Sequence, residues 1–219
     1  MDGGVKSYDP EELLTYELGA KAVWLEGTLS TEVAIYHSEF TNFVESIFDP
    51  MSNLASLQNA GEAEVQGIEW EVRWATSEQL TLGFNGNISD SEFTSLSPGV
   101  SGKIVGDPMD NVPEYNYSLT ADYQFDWSKS LPGFARLDYN VQGPTTTTLR
   151  GFGLLPETDD SEVLTILNGQ LGLQWASFTF KLFGENLLDE TDSTISTAVT
   201  SRYTQRPRRS FGIKLDYDF

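Results

Sequence analysis

SFGIKLDYDF, residues 210–219, places an apolar side chain at every odd position and a small or polar one at every even position. Phe211, Ile213, Leu215, Tyr217 and Phe219 fall on one face, and Ser210, Gly212, Lys214, Asp216 and Asp218 on the other. Strict period two is the signature of a β-strand whose faces meet different media. An aromatic as the last residue predicts that something holds the strand to its very end.

Working outward, the same alternation recurs along the chain. Residues 14–24 set Leu14, Tyr16, Leu18, Ala20, Ala22 and Trp24 against Thr15, Glu17, Gly19 and Lys21. Further on, Ile68, Trp70, Val72 and Trp74 oppose Glu69, Glu71 and Arg73, and Tyr115, Tyr117, Leu119, Ala121 and Tyr123 oppose Asn116, Ser118, Thr120 and Asp122. Segments beginning near Leu80, Phe134 and Leu164 repeat the pattern, and 28–40 and 178–186 follow it less cleanly. Counting all of these gives about nine strand-like segments and no convincing amphipathic helix. The fold class expected is all-β and antiparallel.

The connections sharpen that expectation. Short ones (25–27, 75–79, 126–133, 176–177) alternate without exception with long ones (41–61, 92–114, 143–163, 187–208). Compact soluble domains rarely carry several loops of that length, whereas transmembrane barrels pair short periplasmic turns with long outer loops. The five tryptophans fall at or near the short-turn side, as an interfacial aromatic girdle requires. A secreted β-sandwich is the soluble alternative, but it would scatter its tryptophans through a core. Nine is odd, while single-chain bacterial barrels have even strand counts. Residues 1–219 are therefore expected to be the C-terminal part of a larger barrel.

Composition excludes several functions. Acidic residues outnumber basic ones 33 to 13, a net charge of -20, so no nucleic-acid partner is expected. There is no cysteine and a single histidine, His37, which removes thiolate metal sites, disulfides and a cysteine nucleophile. His37 follows Val33 and Ile35 on the lipid-facing side, a poor position for a general base. No enzyme activity and no cofactor are expected. PETDDSE, 156–162, is acidic but lacks the spacing of a calcium loop. Gly151-Phe152-Gly153 lacks the strand-to-helix context of a nucleotide fingerprint. The Asn-x-Ser triplets at Asn87 and Asn116 fall on membrane strands and carry no glycosylation meaning.

Four motifs in order add a family. Pro10-Glu11 precedes Tyr16, Glu17 and Gly19; Asn59, Ala60 and Gly61 precede Gly67 and Glu69; then come Asn186, Leu187, Leu188 and Asp189, and finally the aromatic Phe219. Over nearly the whole length, these resemble the C-terminal half of TonB-dependent outer-membrane receptors. The resemblance implies a barrel of about 22 strands with a plugged lumen, set in the Gram-negative outer membrane among lipid and lipopolysaccharide. It implies as partners a separate N-terminal plug domain, the missing N-terminal strands, the TonB complex acting through the plug, and a small-molecule ligand. That ligand would be a ferric-siderophore-type iron complex. This chain shows none of the plug, TonB box, signal peptide or preceding strands, so it is expected to supply wall and loops. The alternative is a non-transporting structural or adhesive barrel.

Two sets of residues are site candidates. Arg202, Arg206, Arg208 and Arg209 cluster in SRYTQRPRR, 201–209, before the last strand. Guanidinium forks there could recognise an anionic ligand; contact with lipopolysaccharide phosphates or acidic loops is the alternative. Phe211, Ile213, Leu215, Tyr217 and Phe219 fit the assembly signal that the resemblance implies is read by the barrel assembly machinery. A tail beyond Phe219 would shield that edge.

Overall fold

A computed structural model describes residues 7–49, 54–100, 102–148, 150, 157–191 and 206–218. The strands are β1 (Glu12–Trp24), β2 (Leu29–Asp49), β3 (Leu54–Ala75), β4 (Leu80–Leu96), β5 (Tyr115–Ser128), β6 (Leu131–Gln142), β7 (Thr146–Thr148), β8 (Thr158–Asp160), β9 (Leu164–Trp175), β10 (Phe178–Glu185) and β11 (Ser210–Tyr217). Nine of them form one antiparallel sheet in the order β1-β2-β3-β4-β5-β6-β9-β10-β11, and β7 pairs with β8 as a separate ribbon. Each strand of the sheet lies beside its predecessor, so the turns 25–28, 76–79, 129–130 and 176–177 share one end. The strand ends at Asp49 and Leu54, Leu96 and Tyr115, Gln142 and Leu164, and Glu185 and Ser210 share the other. The sheet does not close, and β1 and β11 are its edges.

The long-loop end differs from expectation in one instructive way. Residues 41–61, read as a loop, are mostly strand: β2 has 21 residues and β3 has 22, paired out to Asp49 and Leu54. About 9–11 tilted residues cross a bilayer core, so the hairpin stands well above it. The period-two pattern breaks there because of bulges. The register shifts between Phe40 and Phe43 and again before Val44, with Asn42 at φ 56, and β3 shifts against β4 between Glu62 and Ala63. An inserted residue flips which parity faces which side, and the alternation that marks a strand disappears from the sequence. Loops 92–114 and 143–163 likewise give up residues to β4 and to the β7–β8 ribbon, and 126–133 shrinks to a two-residue turn.

Register assigns the two faces. Val72, Phe84, Leu119, Tyr139 and Leu167 lie in one cross-strand row, and Leu171, Leu182 and Ile213 in another. Leu18, Leu119, Leu171 and Ile213 on this face are 73%, 44%, 45% and 82% exposed. Trp24, Trp74, Trp127 and Trp175 are exposed beside the short turns, where amphipathic rings sit at a membrane interface. Trp70, on the same face, is partly covered by Phe84, with ring centroids 5.5 Å apart. His37 shares it and approaches Glu39 (3.4 Å) and Glu64 (3.9 Å).

A wall one sheet thick has no second layer to pack against. Among the described residues a buried apolar cluster lies above the membrane, where Ile47, Ala60, Ala63, Phe93 and Met109 meet. By parity Phe40, Ala63 and Phe93 continue the polar, inward face of the sheet. Met109 and Val112 of the β4–β5 connection therefore pack from the inner side.

Candidate functional site

Three motifs singled out in the sequence turn out to be joints. Gly61 sits at φ +145, and a Cβ there would lie 2.1 Å from the Ser95 carbonyl oxygen, so only glycine fits the bend. Beside it, Asn59 ties the entry of β1 to the bulge: its Nδ2 donates to the carbonyls of Asn42 (2.7 Å) and Asp9 (3.0 Å), while the Asp9 N–H donates back to Asn59 Oδ1 (2.8 Å). Glu11 Oε2 accepts the Val44 N–H at 2.9 Å. The Pro-Glu and Asn-Ala-Gly motifs, 50 residues apart in sequence, are thus one structural knot. Gly67 leaves room for the Tyr36 ring, whose Oη would lie 2.6 Å from an added Cβ.

At membrane level the inward face is mostly polar, with few apolar side chains such as Ile166. Glu17, Glu69, Glu71, Asn85, Asn116 and Gln142 line a concavity of about 810 Å³. Lys21 pairs with Glu32 at 2.6 Å. Arg136 bridges Asp122 (3.1 Å) and Asp138 (2.7 Å) across neighbouring strands, and Asp216 takes both Lys181 (2.8 Å) and Lys214 (3.0 Å). Asn116 Nδ2 donates to Asn87 Oδ1 at 3.4 Å. Such a face offers many fixed donors and acceptors and an excess of carboxylate. Among the described residues no cluster of His, Cys, Asp and Glu could hold a metal ion. Within the acidic stretch Thr158–Asp160 form β8, with Asp160 accepting from Thr146 Oγ1 (2.7 Å) and Glu157 from Arg150 Nε (2.9 Å).

The arginine cluster divides. Arg208 Nη2 pairs with Asp189 Oδ2 at 3.0 Å, and Arg209 donates its backbone N–H to Asp189 Oδ1 (3.0 Å) and its Nη1 to the Leu187 carbonyl (3.2 Å). Arg206 instead reaches the inner face, bordering both the large concavity and an adjoining one of about 400 Å³ lined by Asp138, Asn168 and Glu185. Its Nε is buried without a hydrogen-bond partner among the described residues. Arg202 lies outside the described residues, as does Phe219. Phe211, Ile213, Leu215 and Tyr217 line one exposed face of the edge strand β11.

The profile of the family described as TonB dependent receptor-like, beta-barrel, matches residues 1–187. The chain belongs to that family. The pesticin receptor of Yersinia pestis is 28% identical over 141 residues, covering 64% of this chain and 19% of that protein. The probable TonB-dependent siderophore receptor PiuA of Acinetobacter baumannii is 30% identical over 123 residues, 53% of this chain and 16% of that protein. Among solved structures, the ferric preacinetobactin receptor BauA of A. baumannii superimposes with TM-score 0.71 at 19% identity, over 96% of this chain and 30% of that one. For the ferric yersiniabactin uptake receptor FyuA of Y. pestis the TM-score is 0.65 at 20% identity, over 93% and 28%. The chain spans less than a third of the receptors it matches.

As a TonB-dependent receptor barrel the wall sits in the Gram-negative outer membrane, with its apolar band toward lipid and its polar face toward the lumen. The Asn-Leu-x-Asp motif of this barrel staples the β10–β11 connection. Asn186 (φ 49) and Asp189 (φ 59) both adopt left-handed backbone, which Asn and Asp tolerate better than most residues. Asn186 Nδ2 donates to the Glu190 (2.8 Å) and Pro207 (2.9 Å) carbonyls, and its Oδ1 accepts the Glu190 N–H (2.8 Å). The Arg209 N–H, reinforced by the Arg208 and Arg209 charges, holds the Asp189 carboxyl below the usual carboxylate range. The staple therefore stands at neutral pH and loosens only as pH falls through that lowered value.

Asn186→Ala should remove three hydrogen bonds to backbone groups and cost about 1–3 kcal/mol. The expected readout in the full-length receptor is faster amide exchange at Glu190 and Arg209 with the barrel core unaffected. An unchanged exchange pattern would contradict the staple. Sequence reading missed the link between Asp9, Glu11, Asn42 and Asn59, because bulge geometry rather than any residue type creates it.

Proposed function

We propose that this chain is the C-terminal wall of an outer-membrane receptor that imports a scarce iron complex of the siderophore type, energised by TonB through a plug domain seated in the lumen. The observation that carries the reading is the long polar inner face, with its concavity of about 810 Å³, on a fold shared with ferric-siderophore receptors. An apolar outside and a hydrogen-bonding inside suit a passage that is filled by protein and traversed by a polar ligand. Arg206 is the ligand-side or plug-side cation of the cluster; Arg208 and Arg209 belong to the loop base. The test is uptake of radioactive iron, presented as the siderophore fraction of the host's own culture supernatant, in strains with and without the intact gene. Loss of uptake on deletion, and equally on loss of TonB, is expected. Equal uptake in all strains would favour a structural or adhesive barrel.

The same reading makes Phe211, Ile213, Leu215, Tyr217 and Phe219 the signal engaged by the barrel assembly machinery. The strand offers an apolar face for lipid and an open edge for pairing. Deleting Phe219 in the full-length protein should lower the amount of heat-modifiable, folded barrel, whereas deleting Asp159 in the β7–β8 ribbon should not. Equal assembly of the two deletions would reduce the ending to ordinary strand packing.

A further inference from the structure

Above the membrane, residues 102–112 run back beside the upper part of β4, which β5 leaves unpaired beyond Ile88, and lay side chains onto the inner face. Their underside is apolar, with Met109 in the buried cluster and Val112 beside it. The backbone joins the sheet, Gly106 N–H donating to the Phe93 carbonyl and Phe93 N–H to the Asp107 carbonyl, both at 2.9 Å. Charges are largely covered along with it. Lys103, whose side chain is 6% exposed, stands 3.1 Å from Glu45 Oε1 and 2.8 Å from Asp110 Oδ2, its Nζ 5.2 Å from the centre of the Phe93 ring. One ammonium serves two carboxylates, and Glu45 Oε2 is buried with no hydrogen-bond partner among the described residues. Asp110 Oδ1 also accepts the Thr148 N–H (2.9 Å), and a second ion pair joins Arg150 to Asp107.

Covering most of two carboxylates, Glu45 14% and Asp110 21% exposed, against one ammonium leaves a surplus negative charge in a partly desolvated site, which is costly unless a proton neutralises it. We propose that residues 102–112 are a strap beside β4, at the rim of the lumen, that closes with uptake of a proton on Glu45. Among the described residues the charged groups facing Glu45 are Lys103 and Asp110, and the neutral Gln58 lies opposite it on β3. Burial pushes the Glu45 carboxyl up, Lys103 opposes this, and Asp110 adds to it. With the closed-state value above the open-state value, the proton's stabilisation is fully present below the open-state pKa. It is lost as pH rises through the closed-state one. Acid therefore tightens the strap, the reverse of what simple loss of a salt bridge would do. The proposal rests on the barrel reading but on no particular ligand.

The test is hydrogen exchange of the full-length receptor in detergent at about pH 7.5 and about pH 5, corrected for intrinsic rates, read at the Phe93, Gly106 and Met109 amides. Protection should rise on acidification, by up to about tenfold for each unit separating the two values. Glu45→Gln should give high protection that no longer depends on pH. Asp110→Asn, which removes the surplus from the other side, should flatten the profile as well, so a Glu45 variant that fails to assemble does not end the test. Arg150→Gln should lower protection at both pH values and keep the slope. Protection that falls with acid, or a wild-type slope retained in both Glu45→Gln and Asp110→Asn, would overturn the proposal.

Discussion

Phe93→Ala is expected to destabilise the outer rim by about 3–5 kcal/mol, the range for emptying a fully buried aromatic site. Phe93 is 0% exposed, and its ring meets Phe43 edge-on at 5.7 Å and Lys103 at 5.2 Å. Ile47, Ala60, Ala63 and Met109 close around it. Those neighbours come from two strands and a long connection, so no single side chain can collapse into the void. The loss should stay local, because the membrane-spanning sheet is held by backbone pairing and lipid rather than by this cluster. Denaturant unfolding of the full-length receptor should therefore gain an early transition, and amide exchange should place it in the β2–β3 hairpin and residues 102–112. A single transition at the wild-type midpoint would mean that the rim cluster contributes little.

The second large effect is asymmetric across one peptide bond. Leu119→Arg should cost about 2–4 kcal/mol near the bilayer midplane, while Thr120→Arg should be mild. Leu119 lies between Phe84 and Tyr139 on the lipid face, 44% exposed. Thr120 lies between Gly83 and Asp138 on the lumen face, where a guanidinium gains carboxylate neighbours. Refolding equilibria of the full-length barrel in bilayers would measure both substitutions. Equal tolerance at the two positions would count against a lipid-facing role for the apolar side.

The sequence by itself determined the nine strands of the main sheet, their antiparallel neighbour order, the two faces and the end at which each turn lies. All of these follow from side chains alternating between media along nearly straight strands, as at Leu14–Trp24 or Tyr115–Tyr123, which is a local property. It also exposed the motifs, as residue types out of keeping with plain strands. Only the tertiary structure decided what the motifs do. Asn59 matters because a bulge in β2 meets β1's entry beside it, and Gly61 because β4's backbone passes against it, residues far apart along the chain. The same bulges hid the upper halves of β2 and β3 by reversing parity. The arginine cluster looked like one unit on paper. The left-handed turn at Asn186 and Asp189 commits Arg208 and Arg209 to the loop base and leaves Arg206 toward the lumen. Partners of a charged side chain are set by which backbones cross nearby, and that information is distributed over the whole fold rather than written beside the residue.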